Sequence, residues 1–261
     1  MFTNNPFAGL TEVLPANVMQ VYVVLMVVAV AAGTLFDIVH KGSAKYFFEN
    51  WRRSRDQRPR AVGGENMVSL AIKTGLVDVL ASGEFCNARR RVAHLLTMYG
   101  FVIYVITTVL MVFGYATPGT PTPSILPLLW WIGGLMTCVG GYWFWFFIRA
   151  DVTAEGNSRL RIMRADLFIL SLLASVTLGL IWAYLQAKAA SGTTVLFGLY
   201  IVATTVLFGS VPWSKFAHMF FKPAAAFEKR ASHANGSRSG LPAPSDKPEQ
   251  FGRVREQPRH Y

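Results

Sequence analysis

Residues 167–185 read "LFILSLLASVTLGLIWAYL", nineteen positions without a charged side chain. A helix needs about 20 predominantly apolar residues to cross the hydrocarbon layer of a membrane, so this run is a candidate span. Lipid offers no hydrogen-bonding partner to the backbone, which makes helix the conformation that such a run adopts there. Four further blocks have the same character: Val18–Phe36, Leu95–Tyr115, Ser124–Ile148 and Val195–Val211. Composition agrees with this setting. Hydrophobic residues make up 52% of the 261-residue chain and charged residues only 15%, against about 25% charged in soluble domains. The first block lacks the basic leader and small-residue cleavage site of a signal peptide, so it reads as a retained span.

The basic residues give the orientation. Of 25 Lys and Arg, none lies in 1–17, eleven lie in the loop 40–93, and none lies in the Pro-rich turn 116–124. Four lie in 149–164, one (Lys188) in 186–194, and nine beyond Val211. Alternate connections thus hold 24 and one. Positive loops stay on the cytoplasmic side. The expectation is an all-α bundle of five transmembrane helices in the cell inner (cytoplasmic) membrane, N-terminus outside and C-terminus cytoplasmic. Its parts are an external segment 1–17, a membrane domain 18–230 with the cytoplasmic loop 40–93, and a disordered tail 231–261.

This placement also accounts for the net charge of +11. Basic residues beside spans meet anionic lipid headgroups, and no folded basic surface with aromatic platforms points to nucleic acid. Within the long loop, 65–83 carries apolar residues at near-helical spacing (Met67, Leu70, Ala71, then Leu76, Val79, Leu80). It suits an interfacial helix, with a re-entrant cap over the bundle as the other reading. The aromatic–arginine stretch 45–61 suits headgroups or a docked partner. Cys86 and Cys138 are too few for a Cys-ligated iron–sulfur cluster and read as reduced thiols.

Three of the five histidines sit at the cytoplasmic ends of spans: His40, His94 and His218. Ionisable groups at membrane depth are often functional, yet the headgroup zone tolerates histidine. Spacing therefore leaves two readings open, interfacial side chains or imidazole ligands of a haem iron.

Three stretches carry a resemblance. "RADLFILSLLASVTLGL" (164–180), "VPWSKFAHMFFKPAAAFEKR" (211–230) and "RRVAHLLTMYGFVIYVITTVL" (90–110) resemble spans of the gamma subunit of respiratory nitrate reductase, a five-helix cytochrome b. The basic first loop with "CNARRRVAHLLTMYGF" is similar to a sulfur-metabolism branch. That branch includes the membrane subunits of the quinone-interacting membrane-bound oxidoreductase and the adenylylsulfate reductase anchor. The family holds two haems with four histidines, two ten residues apart in the second span and two eighteen apart in the fifth. His94 and His218 match one pair, and Tyr104 and Tyr200 stand where the other pair would be. The resemblance thus implies one haem b, on the cytoplasmic side, ligated by His94 and His218, with His40 as reserve ligand. Arg89, Arg90, Arg91 and Lys215 become candidate partners of its propionates. The implied role is a non-catalytic electron-transfer subunit between membrane quinone and a cytoplasmic oxidoreductase, adenylylsulfate reductase in first place. A haem-free scaffold that docks a soluble enzyme to the membrane is the alternative.

Overall fold

The computed structural model describes residues 2–40, 45, 48–49, 51–52, 64–83, 85, 87–149, 161–163, 166–213 and 218–236. Among these the regular structure is entirely helical. In chain order the helices are α1 (Ala16–His40), α2 (Gly64–Lys73), α3 (Ala88–Gly114), α4 (Ile125–Trp143), α5 (Leu167–Ala187), α6 (Thr193–Gly209) and α7 (His218–Ala234). Helix α2 continues as a π-helix over Thr74–Leu80, and α4 as another over Phe144–Ile148. Four helices are long and apolar enough to cross a membrane: α1, α3, α4 with its π extension, and α5. The protein is a multi-pass membrane protein. Helix α6, the fifth block of the sequence, is equally apolar but shorter, at 17 residues.

The chain forms two compact units. The first comprises Met1–Leu35, Val92–Phe146 and Ile162–Phe216. Its helices pack through small residues, as expected where lipid removes the hydrophobic drive between helices and close backbone approach must supply the attraction. Helices α3 and α4 touch backbone to backbone: a Cβ on Gly100 would stand 2.7 Å from the Gly133 carbonyl oxygen and 2.6 Å from the Thr137 nitrogen. Further along, Ala93 faces Gly140, so the two helices run antiparallel. Helix α5 runs back along α4, with Leu180 over Gly134 and Leu173 over Gly141. Helix α6 returns along α5, where the Ser175 and Thr204 hydroxyls meet at 2.7 Å. Helix α1 lies along both α6 and α3. The Tyr22 hydroxyl donates to the Ile201 carbonyl (3.1 Å), and Gln20 Nε2 donates to the Val112 carbonyl (3.2 Å). The outer faces, such as Val21, Val24, Leu25 and Val28 of α1, are apolar and exposed, as lipid requires.

Segment 2–14 does more than lead into α1. It forms a 3-10 turn at Ala8–Glu12, and Phe7, Ala8 and Leu10 are buried. Phe7 sets its ring edge-on to Trp130 (5.9 Å between centroids) and tilted against Trp182 (5.6 Å). Asn5 Nδ2 donates to the Tyr115 carbonyl (2.8 Å) and to Thr122 Oγ1 (3.1 Å), while its Oδ1 accepts the Phe7 amide (2.9 Å). The segment closes one end of the first unit beside the Pro-rich turn.

The second unit comprises Phe36–Arg91, Phe147–Arg161 and Ala217–Tyr261. Its described centre is α2, the π-helix after it, and α7. The Arg230 guanidinium on α7 grips Asp78 on the π-helix bidentately, Nη2 to Oδ1 at 2.8 Å and Nε to Oδ2. Planar fork-to-carboxylate geometry makes such a pair stronger and more directional than a simple charge contact. Trp51 packs on Phe227. The widening into a π-helix begins where Thr74 Oγ1 donates to the Leu70 carbonyl (2.8 Å), a local competitor of the helical ladder. Helix α7 carries the order past the expected boundary at 230: it ends at Ala234, and Ser232 and Asn235 are buried. A polar composition read as tail because it gives no sign that a partner helix waits for it. Residues 237–261 lie outside the described residues.

Candidate functional site

Four aromatic rings fill the middle of the first unit. Tyr104 of α3 stacks on Trp130 of α4 (4.8 Å between centroids), and Tyr200 of α6 stacks on Trp182 of α5 (5.9 Å). All four are buried, and Tyr104 Oη donates to Tyr200 Oη at 3.4 Å, a long bond. Trp130 Nε1 finds its acceptor in Thr108 Oγ1 (2.9 Å). On α5 only a glycine fits opposite the pair, since a Cβ on Gly179 would collide with the Tyr104 hydroxyl and touch the Tyr200 ring. The site offers two phenols, no imidazole, and a tightly packed interior. It does not fit a haem.

The tyrosine pair is still informative about register. Tyr104 and Tyr200, on α3 and α6, face each other across the bundle. Sequence reasoning found the tyrosines and missed Trp130, Trp182 and Phe7. Tryptophans in apolar spans give no signal of which helix they will meet.

At the basic end, His94 lies on α3 in the first unit, half-buried, ten residues before Tyr104. Its neighbour Ala93 is packed against Gly140. His218 is the opening residue of α7, in the second unit. His40 ends α1, exposed, with its ring stacked on Phe36 at 4.8 Å. Of the candidate propionate partners, Arg89 is exposed and Arg90 half-buried; Arg91 donates from Nε to the Ala81 carbonyl at 2.8 Å. That bond ties the end of the π-helix to the first turn of α3. Lys215 lies outside the described residues, as do Arg53, Arg55 and Cys86. Cys138 is half-buried, 3.6 Å from Thr177 Oγ1. No group of three or more His, Cys, Asp or Glu suited to a metal ion occurs among the described residues. A haem iron asks for only two protein ligands, and two imidazoles are a donor set that fits it.

These elements define an all-α multi-pass membrane protein with a small-residue-packed, aromatic-filled bundle. No family model matches the chain, and no solved structure matches it. It is similar to citrate utilization protein B of Escherichia coli, 26% identical over 166 residues, which is 62% of this chain. The matched stretch covers 42% of that protein, so the chain spans less than half of the relative's length.

Proposed function

We propose that this protein is a membrane-anchor subunit of the b-type cytochrome kind, carrying electrons between membrane quinone and a cytoplasmic oxidoreductase. One observation carries the reading. Tyr104 and Tyr200 meet across the bundle, and two positions that the resemblance to the nitrate reductase gamma subunit would match to one ligand pair lie together, which supports the reading. His94 stands about 15 Å along α3 from the tyrosine level, at 1.5 Å rise per residue. His218 follows Tyr200 by eighteen residues, past the end of α6 and a 3-10 turn containing Pro212. Pro212 has no N–H to continue the helix, which lets the chain turn before α7 begins. His94 and His218 are the residues that would hold the haem iron. Arg89, Arg90 and Lys215 supply positive charge for propionates, while Arg91 is already engaged in holding Ala81. Bound there, haem b supplies one-electron exchange between quinol and the centres of the soluble partner.

The same reading takes α6 as a fifth span. Its 17 residues sit at the lower end of the spanning range of about 17–25, and it alternates in direction with α5. The N-terminus is then external and the C-terminus cytoplasmic in the inner membrane. Reporters fused within 116–124 or after Lys188 are expected to be external, and those near Arg58 or after Lys222 cytoplasmic. A cytoplasmic signal from the Pro-rich turn overturns the orientation.

The partner is proposed to be a sulfur-metabolism oxidoreductase, adenylylsulfate reductase first. It docks on the basic cytoplasmic loop, where Arg52 is exposed. The similarity to citrate utilization protein B favours a second reading, in which the same membrane module serves citrate utilization. The deciding experiment on function is an oxidised-minus-reduced visible spectrum of protein purified from a haem-replete host. A low-spin b-type spectrum is expected. A featureless spectrum leaves the haem-free docking scaffold as the function.

A further inference from the structure

The helix Gly64–Leu80 presents a line of large apolar side chains to the outside: Val68 (61% exposed), Ile72 (58%), Leu76 (57%) and Leu80 (48%). These residues repeat every four positions, the spacing that keeps side chains on one helical face. It shares Leu76 and Leu80 with the residues that apolar spacing alone picked out, and adds Val68 and Ile72. Met67, Leu70 and Val79 are half-buried, and Thr74 is buried. Asp78, beside them, is gripped by Arg230 of α7. The helix thus spends one side on α7 and leaves the other, apolar side open.

We infer that this open side is a bilayer-surface anchor, with Val68, Ile72, Leu76 and Leu80 inserted into the headgroup–acyl boundary of anionic lipid. The tether makes the bilayer the surface at hand. Only seven residues, Ala81–Asn87, separate Leu80 from the start of α3, which reach at most about 25 Å when fully extended. Arg91 in the first turn of α3 also holds the Ala81 carbonyl, at 2.8 Å. Helix α3 is one of the four helices able to span, and its three consecutive arginines precede the apolar run. Arginine at such a boundary keeps its head in the headgroup layer. The end of the π-helix is therefore tied to the first turn of a helix able to span. Charge agrees: Lys73 on the helix is exposed, as is Arg52 in the same unit, while Lys45 pairs with Glu49 at 4.0 Å. The one acid on the π-helix, Asp78, is neutralised by Arg230 on the covered side. An amphipathic helix with basic flanks is the kind that lies in the interface plane.

The test is spin-label depth measurement on the full chain in nanodiscs containing phosphatidylglycerol. Cys86→Ser and Cys138→Ser provide the background, and single cysteines at Val68, Ile72, Leu76 or Leu80 carry the label, with Asn66 as exposed control. The four stripe positions are expected to collide several-fold more with oxygen, relative to a water-soluble nickel chelate, than position 66 does. Equal preference for the nickel chelate means that the face is open to water and free for a soluble protein, which overturns the inference. Shielding from both reagents means that protein covers the face, and overturns it too. Where a label disturbs folding, Leu76→Glu gives a second measure. It should lift the helix and speed tryptic cleavage after Lys73 several-fold in proteoliposomes, and an unchanged rate contradicts the anchor.

Discussion

His94→Ala and His218→Ala are each expected to yield protein without the low-spin b-type spectrum, whereas Tyr104→Phe and Tyr200→Phe are expected to retain it. If the two imidazoles together hold a haem iron, loss of either removes the signature rather than weakening it. The tyrosines differ in kind. Their rings are held by stacking on Trp130 and Trp182, and removing one hydroxyl forfeits a single long bond of 3.4 Å. Net, such a bond contributes about 1 kcal/mol or less. Pyridine haemochrome content and the reduced α-band read the outcome. Should His218→Ala keep a bis-histidine spectrum and His40→Ala lose it, the ligand is His40, whose ring now rests on Phe36. Haem content that survives every histidine change overturns the assignment altogether.

Gly133→Leu is expected to break the bundle. A Cβ at Gly133 would stand 2.8 Å from the Gly100 carbonyl oxygen and 2.8 Å from the Tyr104 nitrogen. Both obstacles are backbone, so no flexible side chain can swing aside. Overpacking a well-filled core usually costs about 1–3 kcal/mol, and here helices α3 and α4 must separate along their length. The Tyr104–Trp130 stack is lost with them. Gly198→Ala on α6 is the contrast, since a Cβ there meets nothing within 4 Å. Thermal unfolding in detergent should show a large fall in midpoint for the first and no fall for the second. A Gly133→Leu protein as stable as the parent contradicts the close approach.

What the sequence made legible follows from how lipid selects. The blocks beginning at Val18, Leu95, Ser124 and Leu167 became helices because an apolar run has no other way to bury its backbone in hydrocarbon. Their ends moved by four residues or fewer except at the start of α3, which begins at Ala88, seven residues before Leu95. Apolar length says nothing of neighbours, however. That Gly100 meets Gly133, or that Ser175 meets Thr204, depends on helix rotation, which a uniformly apolar sequence leaves unmarked. The second unit was less legible still. Asp78 and Arg230 lie 152 positions apart, and nothing local announces their pairing. The stripe at 65–83 was seen as amphipathic, and Leu76 and Leu80 of it are exposed, but nothing local marked that Asp78 beside them would be gripped by Arg230 of α7. Of the candidate site, the histidines were marked in the sequence by their place at the ends of apolar runs, and Tyr104 and Tyr200 only by a resemblance. The tryptophans that wall off the tyrosine level were not, since the cue lies in three-dimensional stacking.

Phe7 rests between Trp130 and Trp182, and that contact carries a consequence for biogenesis. The ribosome makes Phe7 early, but its seat does not exist until α5 has been synthesised and placed beside α4. Contacts between such distant parts of a chain form slowly. Seating of the leading segment is therefore among the last events of assembly, and it happens only when α4 and α5 have taken up the right mutual orientation. An incompletely assembled chain leaves Phe7 without the two rings that shelter it.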